Sequence, residues 1–500
     1  MSTSKFTRRD FIKSSLATAA TASLWPALGG CTTQPKPHAR IIGANEDIRI
    51  AVVGMNSRGK NHIDRGYGDM KGVRVVALCD PDTAVLDAAK EKYKDLLPDV
   101  QTCRDYRDLL DNPDIDAVSL ATPNHWHALG AIWAVQAGKD VFVEKPASHN
   151  VWEGRQLVNA ANKYNRIVQT GSQSRSSYAI AESIEWVRAG NLGKIKRVRC
   201  LCYNRRESIG KCTGPLKIPE TVDYNLWAGP APMETLYRLK FHYDWHWVWP
   251  TGNGDLGNQG VHQMDVARWV LGHQELSPAV FSLGGRLGYI DDGTTPNVQI
   301  IFHDYKPVPI IFEVRALPQY TGSKEMDRYR GRNDRPIINR GVNTIIECEG
   351  GYISIPNYVS AYASDWQDNE IKRWEGADNH YANFIKAVRS QKKSDLTAEV
   401  LEGHLSAALC HTGNVSYQLG KPQSPDEIRD AIKNNPDVTD AFNRMQEHLA
   451  ANDVNLNQTP ASLGVPLKMD PKTERFTNNN DANKLLTRNY RAPFVVPKNV

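Results

Sequence analysis

A short apolar run that ends in a glycine turn constrains this chain more than any other stretch. It reads Ile48-Arg49-Ile50-Ala51-Val52-Val53-Gly54, followed by Met55-Asn56-Ser57-Arg58-Gly59, a polar helical segment, a second apolar run Val73–Cys79, and Asp80. Such a run is a buried parallel strand feeding a helix. Small residues before a helix N-terminus leave backbone N–H groups free for a pyrophosphate, which makes Gly54, Asn56, Ser57, Arg58 and Gly59 the candidate cradle. Asp80 closes the second strand roughly 20 residues beyond the turn, where a carboxylate can take a ribose 2′-OH. In the G-x-G-x-x-G pattern Asn56 replaces the middle glycine, and Asn tolerates a positive φ better than most residues. The bland alternative is an ordinary glycine turn in an α/β domain.

The following segments keep an alternating β and α rhythm. Ile115–Ala121 reads as a strand ending in Thr122-Pro123-Asn124-His125, and a helix over Ala128–Ala137 stops at Gly138. Asp140–Val143 is the next strand, ending in Glu144-Lys145-Pro146; a helix over Trp152–Tyr164 and a strand Ile167–Thr170 follow. Ligands of doubly wound sheets sit at the carboxyl ends of strands. Gly54, Asp80, Thr122, Pro123, Asn124, His125, Glu144 and Lys145 all fall at such ends.

Asn-His at one strand end and Glu-Lys-Pro at the next resemble the glucose–fructose oxidoreductase, inositol dehydrogenase and MocA (Gfo/Idh/MocA) family, over roughly residues 48–420. The resemblance implies an α/β protein: a Rossmann dinucleotide-binding domain, then an α+β domain with a large, mostly antiparallel sheet. It implies that Lys145 hydrogen-bonds the reacting hydroxyl and the nicotinamide region, and that the Lys145–Pro146 bond is cis. Domains are expected at 48–172 and 173–420, with a wrapping extension over 421–500. The strand candidates of the second domain are Ile195–Tyr203, Val280–Leu287, Asn297–Phe302, Pro309–Leu317, Thr344–Cys348 and Gly351–Ile355. Residues 327–340 are charged and poorly periodic, as in a solvated loop, and helices are expected over Asn379–Gln391, Glu399–Leu419, Pro425–Asn434 and Val438–Asn452.

The second chemical centre is Gly254-Asp255-Leu256-Gly257-Asn258-Gln259-Gly260-Val261-His262-Gln263-Met264-Asp265. The family carries an Asp-x-x-x-His pair here, which places its acid/base histidine at His262 and its aspartate at Asn258. An amide positions a substrate but is no general base, so proton transfer rests on His262 with Lys145. Histidine suits this work, with an ordinary pKa of about 6.5. Asp265, three residues on, is expected on the same helical face as His262, oriented to it; Asp255 is a further carboxylate. Before this segment, Trp245, Trp247 and Trp249 could stack on a sugar or fill a core. His242, His246 and His262 offer three imidazoles, but nothing in their spacing requires a metal, and none is expected.

Residues 1–31 are an address. Thr7-Arg8-Arg9-Asp10-Phe11-Ile12-Lys13 resembles a twin-arginine export signal, and Leu28-Gly29-Gly30-Cys31 a lipobox. The mature chain is expected in the periplasm, held to the membrane only by a lipid on Cys31, with residues 32–47 as tether. The formal charge of the chain is +5, of which the signal carries +3. The mature protein is too nearly neutral for electrostatic nucleic-acid binding. A disulfide among Cys200, Cys202 and Cys212 is permitted by the compartment but not demanded by the spacing.

The leading reading is an NAD-dependent oxidoreductase acting on a carbohydrate or polyol hydroxyl, NADP being disfavoured by Asp80. One rival is an NAD-dependent glycoside hydrolase that oxidises its sugar transiently, eliminates the aglycone, adds water and reduces back. The other is a sugar-binding lipoprotein without turnover. The partner is a small carbohydrate or glycoside. A homo-oligomer is expected, because an exposed sheet face in the second domain often dimerises in this family.

Overall fold

The computed structural model describes residues 43, 46–329, 341–477 and 479–500. The signal, Cys31, most of the tether and residues 330–340 of the charged loop lie outside the described residues. The first sheet consists of β1 (Ile48–Val53), β2 (Val73–Cys79), β3 (Gln101–Cys103), β4 (Ala117–Leu120), β5 (Asp140–Val143) and β6 (Val168–Thr170). They lie in the order β3-β2-β1-β4-β5-β6, all parallel. This is the doubly wound arrangement that puts a ligand crevice where the order reverses, between β1 and β4. Apolar clusters cover both faces, with Leu120, Leu129 and Leu157 on one and Ile50, Leu78 and Phe142 on the other. β1, β4 and β5 are buried throughout, which is why their sequences are continuous apolar runs without alternation. The helix after β4 spans Asn124–Gln136, four residues earlier than its periodicity predicts, because Pro123 supplies the N-cap.

The second domain contributes β7 (Ile195–Tyr203), β8 (Ala279–Gly285), β9 (Val298–His303), β10 (Ile310–Arg315), β11 (Val342–Cys348), β12 (Gly351–Ile355), β13 (Ser360–Asp365) and β14 (Glu370–Glu375). Their order is β14-β13-β12-β11-β7-β10-β9-β8; every pairing is antiparallel except β7 with β10. Helices Gly260–Leu271 and Val400–Gln418 bury Met264, Val270, Leu405 and Leu409 in the cluster that also holds Val198, Ile301 and Phe312 of the sheet. Cys200 and Cys202 are fully buried in β7, Cys212 lies on a loop beside Asp292, and all three are free thiols.

After residue 420 the chain adds β15 (Lys421–Gln423), β16 (Ala461–Leu463) and β17 (Leu467–Asp470); β16 and β17 pair with β8, and β15 pairs with β16. Between them, helices Pro425–Ile432 and Pro436–Ala451 lay Ile428, Phe442 and Met445 on Leu283, Ile300 and Ile311. The sheet face expected to be open is therefore covered by the chain itself over β8, β9 and β10. Ser424 and Glu427 form a reciprocal capping box at the start of the first of these helices, worth about 1 kcal/mol. The tail then returns to the first domain, where Phe494 packs against Trp126 and Trp133. Among the described residues no helix is long and apolar enough to cross a membrane.

Candidate active site

The glycine turn after β1 is shaped by backbone approach. Gly54 has φ +88°, and a Cβ there would lie 2.6 Å from the Ala121 carbonyl oxygen at the end of β4. A Cβ on Gly59 would lie 2.1 Å from the Gly54 carbonyl oxygen, so Gly59 lets the helix sit on the turn. Asn56 is exposed and is not among the residues with positive φ. The left-handed tolerance expected to justify Asn at that position is not used. Asp80 is 5% exposed, and its carboxylate accepts from the N–H groups of Met55 (2.8 Å) and Asp82 (3.1 Å). Burial raises its pKa to about 6 against the lowering effect of those two donors. Asp80 thus braces the turn while still facing the cleft.

Glu144, at the end of β5, takes Arg58 Nε at 2.8 Å and lies 3.2 Å from His62 Nε2. Burial alone would raise its pKa, but Arg58, His62 and Lys145 outweigh that and hold it well below the usual carboxylate range. Lys145 follows, through a cis bond to Pro146. Its Nζ donates to the backbone oxygen (3.0 Å) and Oδ1 (3.1 Å) of Asn258, so the side chain is aimed across the domain boundary. Burial pulls the Lys145 pKa down, partly countered by Glu144. Asn258 Nδ2 donates to Asp255 Oδ1 at 3.4 Å. Asp255 is held by Arg206 in a two-pronged pair at 2.7 and 2.8 Å.

His262 sits in the first turn of helix Gly260–Leu271, and burial, then Lys145, lowers its pKa to about 3. It is neutral at physiological pH, and its Nδ1 is buried with no partner. Asp265 does not orient it. That carboxylate takes Arg175 through both oxygens (2.8 and 2.9 Å) and Ser406 Oγ at 2.8 Å. The helix is buried on nearly every side, so two residues on one face meet different surroundings. Asp265 is a structural ion-pair partner beneath the site.

One cleft of about 550 Å3 gathers these groups. Gly54, Asn56, Ser57, Arg58 and Asp80 line it, as do Thr122, Pro123, Asn124 and Glu144, and Lys145, Asn258 and His262 meet there too. Gly59, His125 and Asp265 do not. His125 turns away to the carbonyls of Trp227 (3.0 Å) and Thr251 (3.4 Å), and Asn124 Nδ2 donates to Asn253 Oδ1 at 3.0 Å. Both tie the first domain to the second.

The cleft also contains groups the sequence reading left without a role. His246 Nδ1 is 2.6 Å from the Tyr243 carbonyl, which can only accept, so Nδ1 carries the proton and Nε2 is an acceptor. Its ring stacks on Trp245 at 3.6 Å. Tyr358 lies 4.6 Å from the His262 ring. His242, which lines the cleft, reaches Asp82 at 2.7 Å, beside a short pairing of Asp82 with Val222. The aromatic run around residue 245 was the available signal for His246; nothing local marks Tyr358. Trp245 and Trp247 are buried, Trp245 facing the cleft. Among the described residues no group of three His, Cys, Asp or Glu is placed to hold a metal.

The cradle fits a dinucleotide: a glycine turn at the switch point, Arg58 beside it, and a carboxylate at the end of β2. Fold and cleft define a Rossmann-type protein whose second domain closes the site. Residues 48–172 match the oxidoreductase family described by its NAD-binding Rossmann fold, and residues 207–313 match the C-terminal alpha/beta domain of that family. These two domains are those of the Gfo/Idh/MocA oxidoreductase family. Residues 5–25 match the twin-arginine translocation signal, which directs export across the membrane. An alpha-N-acetylgalactosaminidase of Shewanella oneidensis is 35% identical over 170 residues, 31% of this chain and 37% of that protein. A glycosyl hydrolase family 109 protein of Shewanella baltica is 36% identical over the same extent, so the match spans little more than a third of these relatives. Among solved structures, the WlbA dehydrogenase of Bordetella pertussis, in complex with NADH and UDP-GlcNAcA, has the same fold. It gives a TM-score of 0.52 at 18% identity over 73% of this chain and 94% of that one. GenD2 from gentamicin A biosynthesis, in complex with NAD, gives 0.52 at 17% over 74% and 94%.

Proposed function

We propose that the protein is an exported NAD-dependent enzyme that moves a hydride to and from a carbon of a carbohydrate or glycoside. The observation that carries this reading is the meeting of Lys145 with Asn258, beside His262, in the cleft floored by the glycine turn and Asp80. Nicotinamide, when bound, supplies the hydride acceptor. The chain's own residues would handle the hydroxyl. Lys145 donates to or accepts from its oxygen, neutral His262 takes its proton, and the Asn258 amide fixes its direction. Asp255 and Arg206 hold Asn258 and Lys145 in place from behind.

The similarity to family 109 glycosyl hydrolases favours a second outcome on the same parts, in which the sugar is oxidised, loses its aglycone, gains water and is reduced again. In both, the cofactor stays with the protein. A twin-arginine route carries folded cargo, there is no free NAD pool outside the cytoplasm, and the His242–Asp82 contact ties the second domain to the first beside the cleft. A lipid on Cys31 would keep the enzyme at the membrane. Purified protein is expected to turn over glycosides, or a sugar with a keto-sugar acceptor, with no nucleotide added. Released aglycone identifies the hydrolytic outcome and a keto-sugar the oxidative one. Protein that arrives empty and works only with stoichiometric free NAD would overturn retention; protein that carries NAD but processes neither class of sugar would overturn the enzyme reading.

NAD is preferred over NADP because the Asp80 carboxylate repels a 2′-phosphate. Arg104 also lines the cleft and could accommodate that phosphate once the carboxylate is gone. Asp80→Ala is therefore expected to narrow the preference for NAD by about tenfold or more, measured by titrating apo-protein with both nucleotides. An unchanged ratio would remove Asp80 from the reading of the ribose.

A further inference from the structure

We infer that Cys79 and Cys103 are a disulfide site, closed after export, that ties the edge strand β3 to β2 beside the cleft. The two residues are register partners in the parallel pair β2/β3. Opposed residues on neighbouring strands point to the same face, and both cysteines pack into the cluster that holds Tyr106 and Leu120. Neighbouring strands lie about 4.7–4.9 Å apart, inside the range of about 4.4–6.8 Å between Cα atoms that a disulfide spans. The Cys103 sulfhydryl beside it is the leading cause holding the Cys79 thiol well above its ordinary pKa, with burial second.

Accessibility separates this pair from the others. Cys79 is buried, but Cys103 is half-buried on a three-residue strand at the sheet's edge. Cys200 and Cys410 also lie near one another, yet both are 0% exposed, which closes them to any external oxidant once the protein has folded. A twin-arginine substrate meets the oxidising compartment already folded, so only a pair with one reachable sulfur can be oxidised there.

The oxidant is the disulfide of a thiol–disulfide carrier, R–S–S–R. The Cys103 thiolate attacks one carrier sulfur, forming a mixed disulfide and releasing one R–SH. Cys79 then attacks the Cys103 sulfur, its proton passing to the departing R–S⁻, and the second R–SH is released. Two protein thiols are oxidised and one carrier disulfide is reduced. The consequence reaches the cleft because Asp80 follows Cys79. Its N–H donates to the Cys103 carbonyl at 3.3 Å, and its carboxylate holds Met55 of the glycine turn. A covalent tie would add to the backbone pairing and apolar packing that hold the short edge strand β3 against β2.

The inference rests on export and is independent of the sugar chemistry. The test is non-reducing peptide mapping of full-length protein from exporting cells, alkylated with N-ethylmaleimide under denaturing conditions. The peptides of Cys79 and Cys103 are expected joined and the other cysteines alkylated. Recovery of both as alkylated thiols, or joined to other partners, would overturn the site. In the second arm, purified reduced protein is treated with oxidised glutathione. The wild type is expected to form the link and to melt at a higher temperature than when reduced, and Cys103→Ser to do neither. An identical shift on reduction in wild type and Cys103→Ser would place the effect elsewhere and sink the inference.

Discussion

Lys145→Ala is expected to lower turnover by about 10²–10⁴-fold, the range of general acid–base assistance, with the fold and the nucleotide content unchanged. The side chain lines the cleft. Its ammonium donates to Asn258 across the domain boundary, and the strand beneath it is held by its own backbone pairing. Burial lowers its pKa, the direction that makes a lysine able to exchange a proton near neutrality. Lys145→Arg is expected to fail as a rescue, because a guanidinium stays charged at every working pH. His262→Ala is expected to cost a similar factor, as it removes the neutral imidazole next to Lys145. The measurement is kcat and KM on the true substrate, with nucleotide assayed in the supernatant of denatured protein. Near-full activity in either variant would remove that residue from the chemistry. Loss of nucleotide along with activity would make it a cofactor-holding residue.

What the chain shows in advance is what local rules control. β1, β4 and β5 are largely apolar runs because parallel strands are buried on both faces, and the polar motifs follow at the strand ends where the cleft lies. The family resemblance pointed to Lys145, Asn258 and His262, and the structure brings them into one cleft. Helical spacing failed at Asp265, because position on a face does not reveal that Arg175, 90 residues away in sequence, comes to claim the carboxylate. His125 failed similarly, its ring drawn to the carbonyls of Trp227 and Thr251. Tyr358 and the His242–Asp82 contact leave no local trace, since each depends on segments far apart in the chain. The same holds for the tail, whose Phe494 finds Trp126 only after both domains exist. Asn56 was legible as a departure from the glycine pattern, though not for the reason given: the turn's one positive φ is at Gly54, so position 56 tolerates a side chain.

Mild acid is expected to unfold the protein, and buried histidines set the window. Burial holds the pKa of His125, His262 and His303 at about 3, and that of His380, His411 and His448 at about 4. In the unfolded chain each titrates near 6.5. Above that value both states are neutral and these groups do not change the stability. Below it the unfolded chain binds protons that the native state refuses, so stability falls as pH drops from about 6.5 toward 3 or 4. Each histidine contributes a slope of up to about 1.4 kcal/mol per pH unit. Six together, over little more than one unit, approach the roughly 5–15 kcal/mol of a typical native state. Asp80, raised to about 6 by burial, acts in the opposite sense, because the native carboxyl takes up its proton before the unfolded one. Asp140, Asp244 and Glu399, also raised by burial, join it, but these four carboxyls offset only part of the effect of the histidines. Farther down, Glu144 and Glu474 are held below the usual range, so their stabilisation is lost in turn as pH falls through their native values. The urea midpoint is expected to be level above about pH 7 and to decline steeply below 6. A midpoint unchanged between pH 7.5 and about 5 would show that these imidazoles are not buried neutral in the folded protein, and would remove neutral His262 from the proposed chemistry with them.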